Sequence, residues 1–163
     1  MSKLQRTFLY DRHVGLGAKM VEFGGWEMPV QYPTGIVAEH LATRRTAGVF
    51  DVSHMGRFVI RGAGAVGFLQ HVLTNNAEAL DVGMSQYTMV PNEAGGAVDD
   101  AYLYRFVEDE YLLVVNASNR QGDWEHFQAH RARFGDVELL DRTGEIVMLS
   151  LQGPASRDIL MQM

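Results

Sequence analysis

The chain has 163 residues, of which 47% are hydrophobic and 21% are charged, and its formal net charge is −6 at pH 7. This balance predicts one globular domain, or one domain and part of another, and it excludes collagen, coiled coil and disorder. The sequence contains no cysteine, which excludes disulfides and thiolate metal sites. It also lacks the roughly 20 uninterrupted apolar residues of a membrane span and the apolar core of a signal peptide. Basic residues come at most two in a row, so a nucleic-acid partner is not expected, and a cytoplasmic location fits the lack of cysteine.

The first half of the chain predicts short strands that alternate with helices. Apolar runs and their flanking turns predict strands at 20–23, 50–53 and 57–61 and helices at 35–47 and 63–74. Thr34 precedes the first of these helices and Gly48 follows it. We therefore expect a side-chain cap at its start and a glycine stop at its end.

The second half is rich in predicted strands. These lie at 86–90, 97–106, 111–115, 137–140 and 146–151, with a helix at 121–134 and a final helix that begins at Gly153-Pro154. Ser118 or Asn119 is placed to cap the longer helix, and Trp124 and Phe127 are expected to face the core. The order of elements predicts an α+β fold with mixed or antiparallel sheets and packed helices.

The last residues of the chain form an apolar segment. Ile159, Leu160, Met161 and Met163 follow one another without a stop glycine or a basic last turn. We expect this segment to be exposed and to promote self-association, with its burial partner in further sequence. A short helix that packs on its own domain is the alternative.

Asp99 and Asp100 interrupt a segment that is otherwise typical of a strand. Side chains alternate between the two faces of a sheet, so one carboxylate should face inward and the other should meet solvent. Asp100 shares its face with Tyr102, Tyr104 and Phe106, where an acid needs hydrogen-bond partners. The pair is a candidate for acid–base chemistry, and a pair of turn-flanking acids satisfied by backbone amides is the alternative.

Two further polar residues lie near Asp100 along the predicted sheet. Asn116 ends the most apolar strand, and Tyr87 lies on a strand expected to neighbour Asp100. The simplest hairpin register pairs Asn116 with Ala101, on the face opposite Asp100, and one bulge would reverse this. Each residue also fits a structural role, Asn116 in a turn and Tyr87 on the sheet surface.

No metal site is predicted from the histidines. His126 and His130 form an i,i+4 pair, but the sequence near them supplies no third ligand.

Six runs of sequence carry a family resemblance. They are LYDRHVGLGAKMVEFGGWEMPVQY (9–32), FDVSHMG (50–56), LTNN (73–76), YTMVPNEAGGAVDDAYLYR (87–105), YLLVVNASN (111–119) and LQGP (151–154). In this order, and across nearly the whole chain, they resemble the successive blocks of the T-protein family of the glycine cleavage system. Six ordered blocks are far more specific than any one motif.

The resemblance implies a fold and an activity. It implies that residues 1–163 are the N-terminal, folate-lining region of a three-domain, folate-binding T-protein fold, with the C-terminal domains absent. The implied enzyme is an aminomethyltransferase. It takes a one-carbon unit from the aminomethyl-lipoyl arm of the H-protein, transfers it to tetrahydrofolate and releases ammonia.

The resemblance also assigns residue roles. In the family pattern Asp100 is the catalytic, folate-facing carboxylate, Tyr87 and Asn116 contact the pterin, and Met55 forms a wall of the pocket. Folate-binding relatives share these blocks, namely demethylases of sulfonium or methylated amine substrates and an iron–sulfur-assembly branch. They remain alternatives, as does a folded fragment that is inactive on its own.

Overall fold

The computed structural model describes residues 3–163. Residues 1 and 2 of the predicted folate-lining region, 1–163, lie outside the described residues. The chain forms two compact units. Unit 1 contains the described residues up to His54 together with Val147–Met163, and unit 2 contains Met55–Ile146. Along residues 3–163, no helix has the length and apolar character needed to cross a membrane.

Fourteen elements follow one another along the described chain. In order they are α1 (Tyr10–Gly15), β1 (Lys19–Phe23), β2 (Trp26–Gln31), α2 (Ile36–Arg45), β3 (Gly48–Asp51), β4 (Gly56–Arg61), α3 (Ala65–Val72), β5 (Met84–Pro91), β6 (Ala97–Val107), β7 (Glu110–Val115), α4 (Arg120–Arg131), β8 (Glu138–Asp141), β9 (Leu149–Gln152) and α5 (Ser156–Leu160).

Unit 2 is built on one antiparallel sheet with the strand order β5-β6-β7-β4-β8. Alternate residues of each strand point to a core that α3 and α4 close from one side. Aromatic rings join the layers, since Phe58 of β4 packs edge-on against Phe127 of α4, which in turn meets Phe68 of α3. The opposite face of the sheet stays partly open, with Tyr87 and Phe106 more than half exposed.

Unit 1 joins the early and late parts of the chain. β1 and β2 form a hairpin, and β3 pairs with β9 in an antiparallel arrangement. Gly153 follows β9 with a φ of 108°, and a Cβ there would lie 2.5 Å from the Thr43 carbonyl oxygen and 2.6 Å from that of Thr46. Only glycine therefore fits at this close approach of two backbone segments.

The α+β prediction with antiparallel sheets and packed helices is confirmed. Both predicted ends of α2 are wrong. Thr34 does not cap α2, because Gly35 takes the N-cap position with a φ of 85° and no side-chain cap. Gly48 does not stop α2, because the helix ends at Arg45 with Thr46 as its C-cap, and Gly48 begins β3. Asn119 takes the N-cap position of α4, as predicted, but its side chain makes no cap hydrogen bond and donates to Asp99 instead.

The predicted register of the β6–β7 hairpin is also wrong by one residue. Ala101 pairs with Val115 rather than with Asn116, and the register shifts between Arg105 and Val107. This shift is the single bulge that the sequence analysis gave as the alternative. Because of it, Asn116 lies opposite Asp100 and on the same face of the sheet.

The apolar end of the chain is exposed, as predicted. Ile159 is 41% exposed, Leu160 63% and Met161 78%. Self-association through this segment stays a prediction.

Candidate functional site

A row of residues crosses the open face of the unit 2 sheet at one end of its central strands. Met89 pairs with Asp100, and the next position along β7 places Asn116 beside Asp100. The Gly56–Val115 pair likewise places Met55 beside Asn116. Opposed residues of antiparallel strands share a face, so this row of four lies on the side away from the core.

Asn116 holds the Asp100 carboxylate in this row. Its Nδ2 donates to Asp100 Oδ1 over 2.9 Å and lies 3.3 Å from the Asp100 carbonyl oxygen. Tyr87 lies two residues before Met89 on β5, and so on the same face, and it is 54% exposed. Burial, a hydrogen bond to Asp100 and the charges of Asp100 and Asp99 together raise the pKa of the Tyr87 phenol above its usual range.

The structure therefore brings Asp100, Asn116 and Tyr87 together, and it ties Met55 to them through strand register. The Met55 carbonyl accepts a hydrogen bond from the Arg57 guanidinium.

Asp99 lies on the other face of β6, inside the core, with only 6% of its surface exposed. Its Oδ1 accepts hydrogen bonds from Asn116 Nδ2 at 2.8 Å and Asn119 Nδ2 at 3.0 Å, and its Oδ2 faces the Asn116 backbone N–H at 3.3 Å. Burial alone would raise the pKa of Asp99. The hydrogen bonds from Asn116, Asn119 and Asp123 outweigh burial and lower this pKa below its usual range.

Asp123, in the first turn of α4, completes this group of carboxyl groups. It has no exposed surface, and within residues 3–163 no N–H or O–H group donates to either of its carboxylate oxygens. Its hydrogen-bond partner is Asp99. Burial, this hydrogen bond and the charges of Asp99 and Asp100 raise the pKa of Asp123 to about 8. Burial without a donor and the neighbouring Asp99 carboxylate both favour the protonated form of Asp123, which can donate a hydrogen bond to Asp99.

The open face combines a fixed carboxylate, a primary amide and an exposed aromatic ring. A fixed carboxylate stabilises positive charge and orients an N–H group, and a tyrosine ring offers a flat surface for stacking. The arrangement suits a flat ligand whose edge carries N–H groups and whose reaction develops positive charge.

The sequence predicts that one of the two adjacent acids faces inward, as Asp99 does, and it offers Asn119 as a helix cap, but it does not predict that these two residues and Asp123 form one network. A signal for Asp123 was present, because it lies four residues before Phe127 and so shares the core-facing side of the helix. An acid in that position needs a partner inside the core.

The three histidines of α3 and α4 lie close together. His71 Nε2 is 3.1 Å from His130 Nδ1, and the His126 ring packs on that of His130. In the described part of the chain, no group of three or more potential ligands is arranged to hold a metal ion. The prediction that the site uses no metal stays a prediction.

A family model, the GCVT N-terminal domain, matches residues 9–163, so the chain belongs to this family. The chain is 52% identical over 157 residues to an aminomethyltransferase of Deinococcus deserti and 53% identical over 157 residues to one of Thermus thermophilus. Each match covers 96% of this chain. The glycine cleavage system aminomethyltransferase T of Bartonella henselae superimposes with a TM-score of 0.92 at 38% identity over 98% of this chain.

The matches cover only part of these relatives. This chain spans 43% of the Deinococcus protein, 44% of the Thermus protein and 44% of the Bartonella chain. The fold and the family are therefore shared, and the activity of the whole relatives is a matter for proposal.

Proposed function

We propose that this chain supplies the folate-lining region and the catalytic carboxylate of an aminomethyltransferase of the glycine cleavage system. The enzyme transfers the one-carbon unit from the aminomethyl-lipoyl group of the H-protein to tetrahydrofolate and releases ammonia. Membership of the GCVT N-terminal domain family supports the activity. One observation assigns the catalytic role to Asp100. Its carboxylate lies on the open face and accepts a hydrogen bond of 2.9 Å from Asn116.

Asp100 is the catalytic residue in this proposal. Departure of ammonia from an aminomethyl group leaves a cationic one-carbon unit, and the folate amine that attacks it must lose a proton. A fixed carboxylate stabilises the developing positive charge and orients the attacking amine.

The neighbours of Asp100 bind the pterin. Tyr87 offers its exposed ring as a stacking surface, and the Asn116 amide group contacts the ring edge. Met55, beside Asn116 in register, forms an apolar wall of the pocket. Residues 1–163 together form the folate-lining region, and the protein works in the cytoplasm with the lipoylated H-protein as its carbon donor.

Binding of tetrahydrofolate to the 163-residue chain, measured by anaerobic calorimetry, tests this proposal. We expect saturable binding that weakens about 10- to 100-fold in Asp100→Asn, because a hydrogen bond to a charged group contributes about 1.5–3 kcal/mol. The control is Asp81→Asn. Asp81 is exposed and lies three residues before β5 begins, at the end of that strand away from Asp100. It should bind like the wild type.

Circular dichroism establishes that each variant is folded before binding is compared. A folded wild-type chain that binds no tetrahydrofolate, or an Asp100→Asn variant with unchanged affinity, would contradict the proposal.

A further inference from the structure

The acid network extends from the open face of the sheet to the core. Asp100 lies on the open face, Asn116 bridges Asp100 and Asp99, and Asp99 is hydrogen-bonded to Asp123 in α4. One amide nitrogen therefore serves carboxylates on both sides of β6. The position of the Asn116 amide depends on both acids.

The Asn116 amide group has more acceptors than hydrogens. Its Nδ2 carries two hydrogens and lies within 3.3 Å of Asp99 Oδ1, Asp100 Oδ1 and the Asp100 carbonyl oxygen. Its orientation is thus decided by competition between these oxygens. Any group that restrains the Asp99 carboxylate therefore also restrains the orientation of the Asn116 amide toward Asp100.

Asp123 is such a group. It is fully buried, and its carboxyl oxygens receive no hydrogen bond from the N–H or O–H groups of the described residues. An ionised Asp123 would be a buried charge without a donor beside a second carboxylate. A protonated Asp123 instead supplies the donor itself and restrains Asp99.

We propose that Asp123 is a positioning residue that keeps its proton in the folded protein, donates it to Asp99, and through Asp99 and Asn116 holds Asp100 in place for folate. The proposal rests on the proposed function for its link to folate. The proton also limits the cluster of three acids to two negative charges.

The charged groups that act on Asp123 are Asp99 and Asp100, both of β6 and both negative. Arg120, one turn earlier on α4, pairs instead with Asp141 at 2.5 Å. With burial as the main cause, the pKa of Asp123 is raised to about 8. The proton is therefore held at pH 7 and released in mildly alkaline solution, where Asp123 would repel Asp99 and Asn116 would be reoriented.

Binding of tetrahydrofolate between pH 6 and pH 9.5 tests the link to the site. In the wild type, affinity should fall about fivefold between pH 8 and pH 9, and above pH 9 the decline should approach the tenfold per pH unit that one linked proton allows. Asp123→Asn keeps a donor toward Asp99 and cannot ionise. It should bind within about threefold of the wild type at pH 7 and lose this alkaline decline.

Asp123→Ala removes the donor and should weaken binding about tenfold at pH 7. Asp81→Asn serves again as the control and should keep the wild-type pH profile. An Asp123→Asn variant that binds as weakly as Asp123→Ala, or that keeps the alkaline decline, would overturn the proposal.

A second measurement needs no folate. The side-chain amide signals of Asn116 in a ¹⁵N–¹H spectrum, assigned by their loss in Asn116→Ser, should titrate with an apparent pKa near 8 in the wild type. They should not titrate in Asp123→Asn. Signals that stay constant in the wild type, or move equally in both proteins, would overturn the positioning role.

The two measurements separate the two proposals. A wild-type chain that binds no folate while its Asn116 signals titrate as expected would contradict the proposed function and leave the proton-sharing pair standing. Folate binding without a titration of the Asn116 signals would support the proposed function and contradict the positioning role of Asp123.

Discussion

Each unit of the protein buries an aspartate among polar side chains, but the residue that contacts the buried carboxyl group differs between the two units. In unit 1, the Asp51 carboxylate is 1% exposed and lies 3.0 Å from His13 Nε2, while His13 Nδ1 lies 2.7 Å from the Tyr32 hydroxyl. In unit 2, Asp123 is equally buried, but its partner is another carboxylate, that of Asp99.

The two clusters shift the pKa of the same residue type in opposite directions. Burial alone would raise the pKa of Asp51, but hydrogen bonds from His13 and Ser53 outweigh it and hold this pKa below its usual range. For Asp123, burial and the Asp99 carboxylate act together and raise the pKa. Neighbouring donors, rather than depth in the core, therefore decide whether a buried aspartate is charged.

Removal of His13 should give the largest effect. His13→Ala leaves the Asp51 carboxylate buried without its main donor, which should lower the free energy of unfolding of unit 1 by about 3–5 kcal/mol. Urea unfolding followed by Trp26 fluorescence in a Trp124→Phe background measures this, since Trp26 lies in unit 1. His40→Ala, on the exposed side of α2, is the control and should change stability by less than about 0.5 kcal/mol.

If His13→Ala lowers the free energy of unfolding by less than about 1 kcal/mol, buried Asp51 does not depend on the His13 hydrogen bond, and the contrast with Asp123 is wrong.

Asp123→Asn should show a smaller effect that depends on pH. The folded state keeps a proton that the unfolded chain releases near pH 4, so wild-type stability should fall as pH rises from about 4 to about 8, by up to about 1.4 kcal/mol per pH unit. Asp123→Asn lacks this proton and should gain about 3 kcal/mol relative to the wild type between pH 5 and pH 8. Unfolding followed by Trp124 fluorescence, in a Trp26→Phe background, measures the difference.

The pKa of Asp99 is lowered, and its contribution runs the other way, since stability is lost as pH falls below about 4. Measurements at pH 5 and above therefore isolate Asp123. A pH-independent difference between the two proteins would show that Asp123 is ionised in the folded state.

Asp99→Asn should have the smallest of these effects on stability. The variant keeps one acceptor oxygen for the amides of Asn116 and Asn119, but its own amide faces other N–H groups. We expect a loss of about 1–3 kcal/mol at pH 7, measured by urea unfolding. Full wild-type stability would mean that the Asn116 and Asn119 amides do not need the Asp99 charge.

Much of this architecture could be predicted because its strands and longer helices have strong apolar patterns. The runs that became β4, β7 and α4 were placed within a few residues of their observed bounds. α1 and β2 were missed, since α1 is a helix of six residues and β2 contains Pro29. Local propensity is weak for such short elements.

The site was only half predictable for a related reason. The strand pattern singles out Asp100, and the family resemblance supplies its role and those of Tyr87 and Asn116, while spacing alone places Asn116 on the wrong face. The bulge between Arg105 and Val107 corrects that placement, and its cause is tertiary pairing that the local sequence does not specify. Asp123 was missed because its partner Asp99 lies on another element, and sequence distance conceals such contacts.

The pairing of β3 with β9 has a consequence for synthesis of the chain. Unit 1 starts before unit 2 and ends after it, and its two segments join where Asp51 meets Leu149. A ribosome therefore completes all of Met55–Ile146 before β3 can acquire its partner. The strand made early must wait with an open edge, while the residues that carry the acid network are already available to fold.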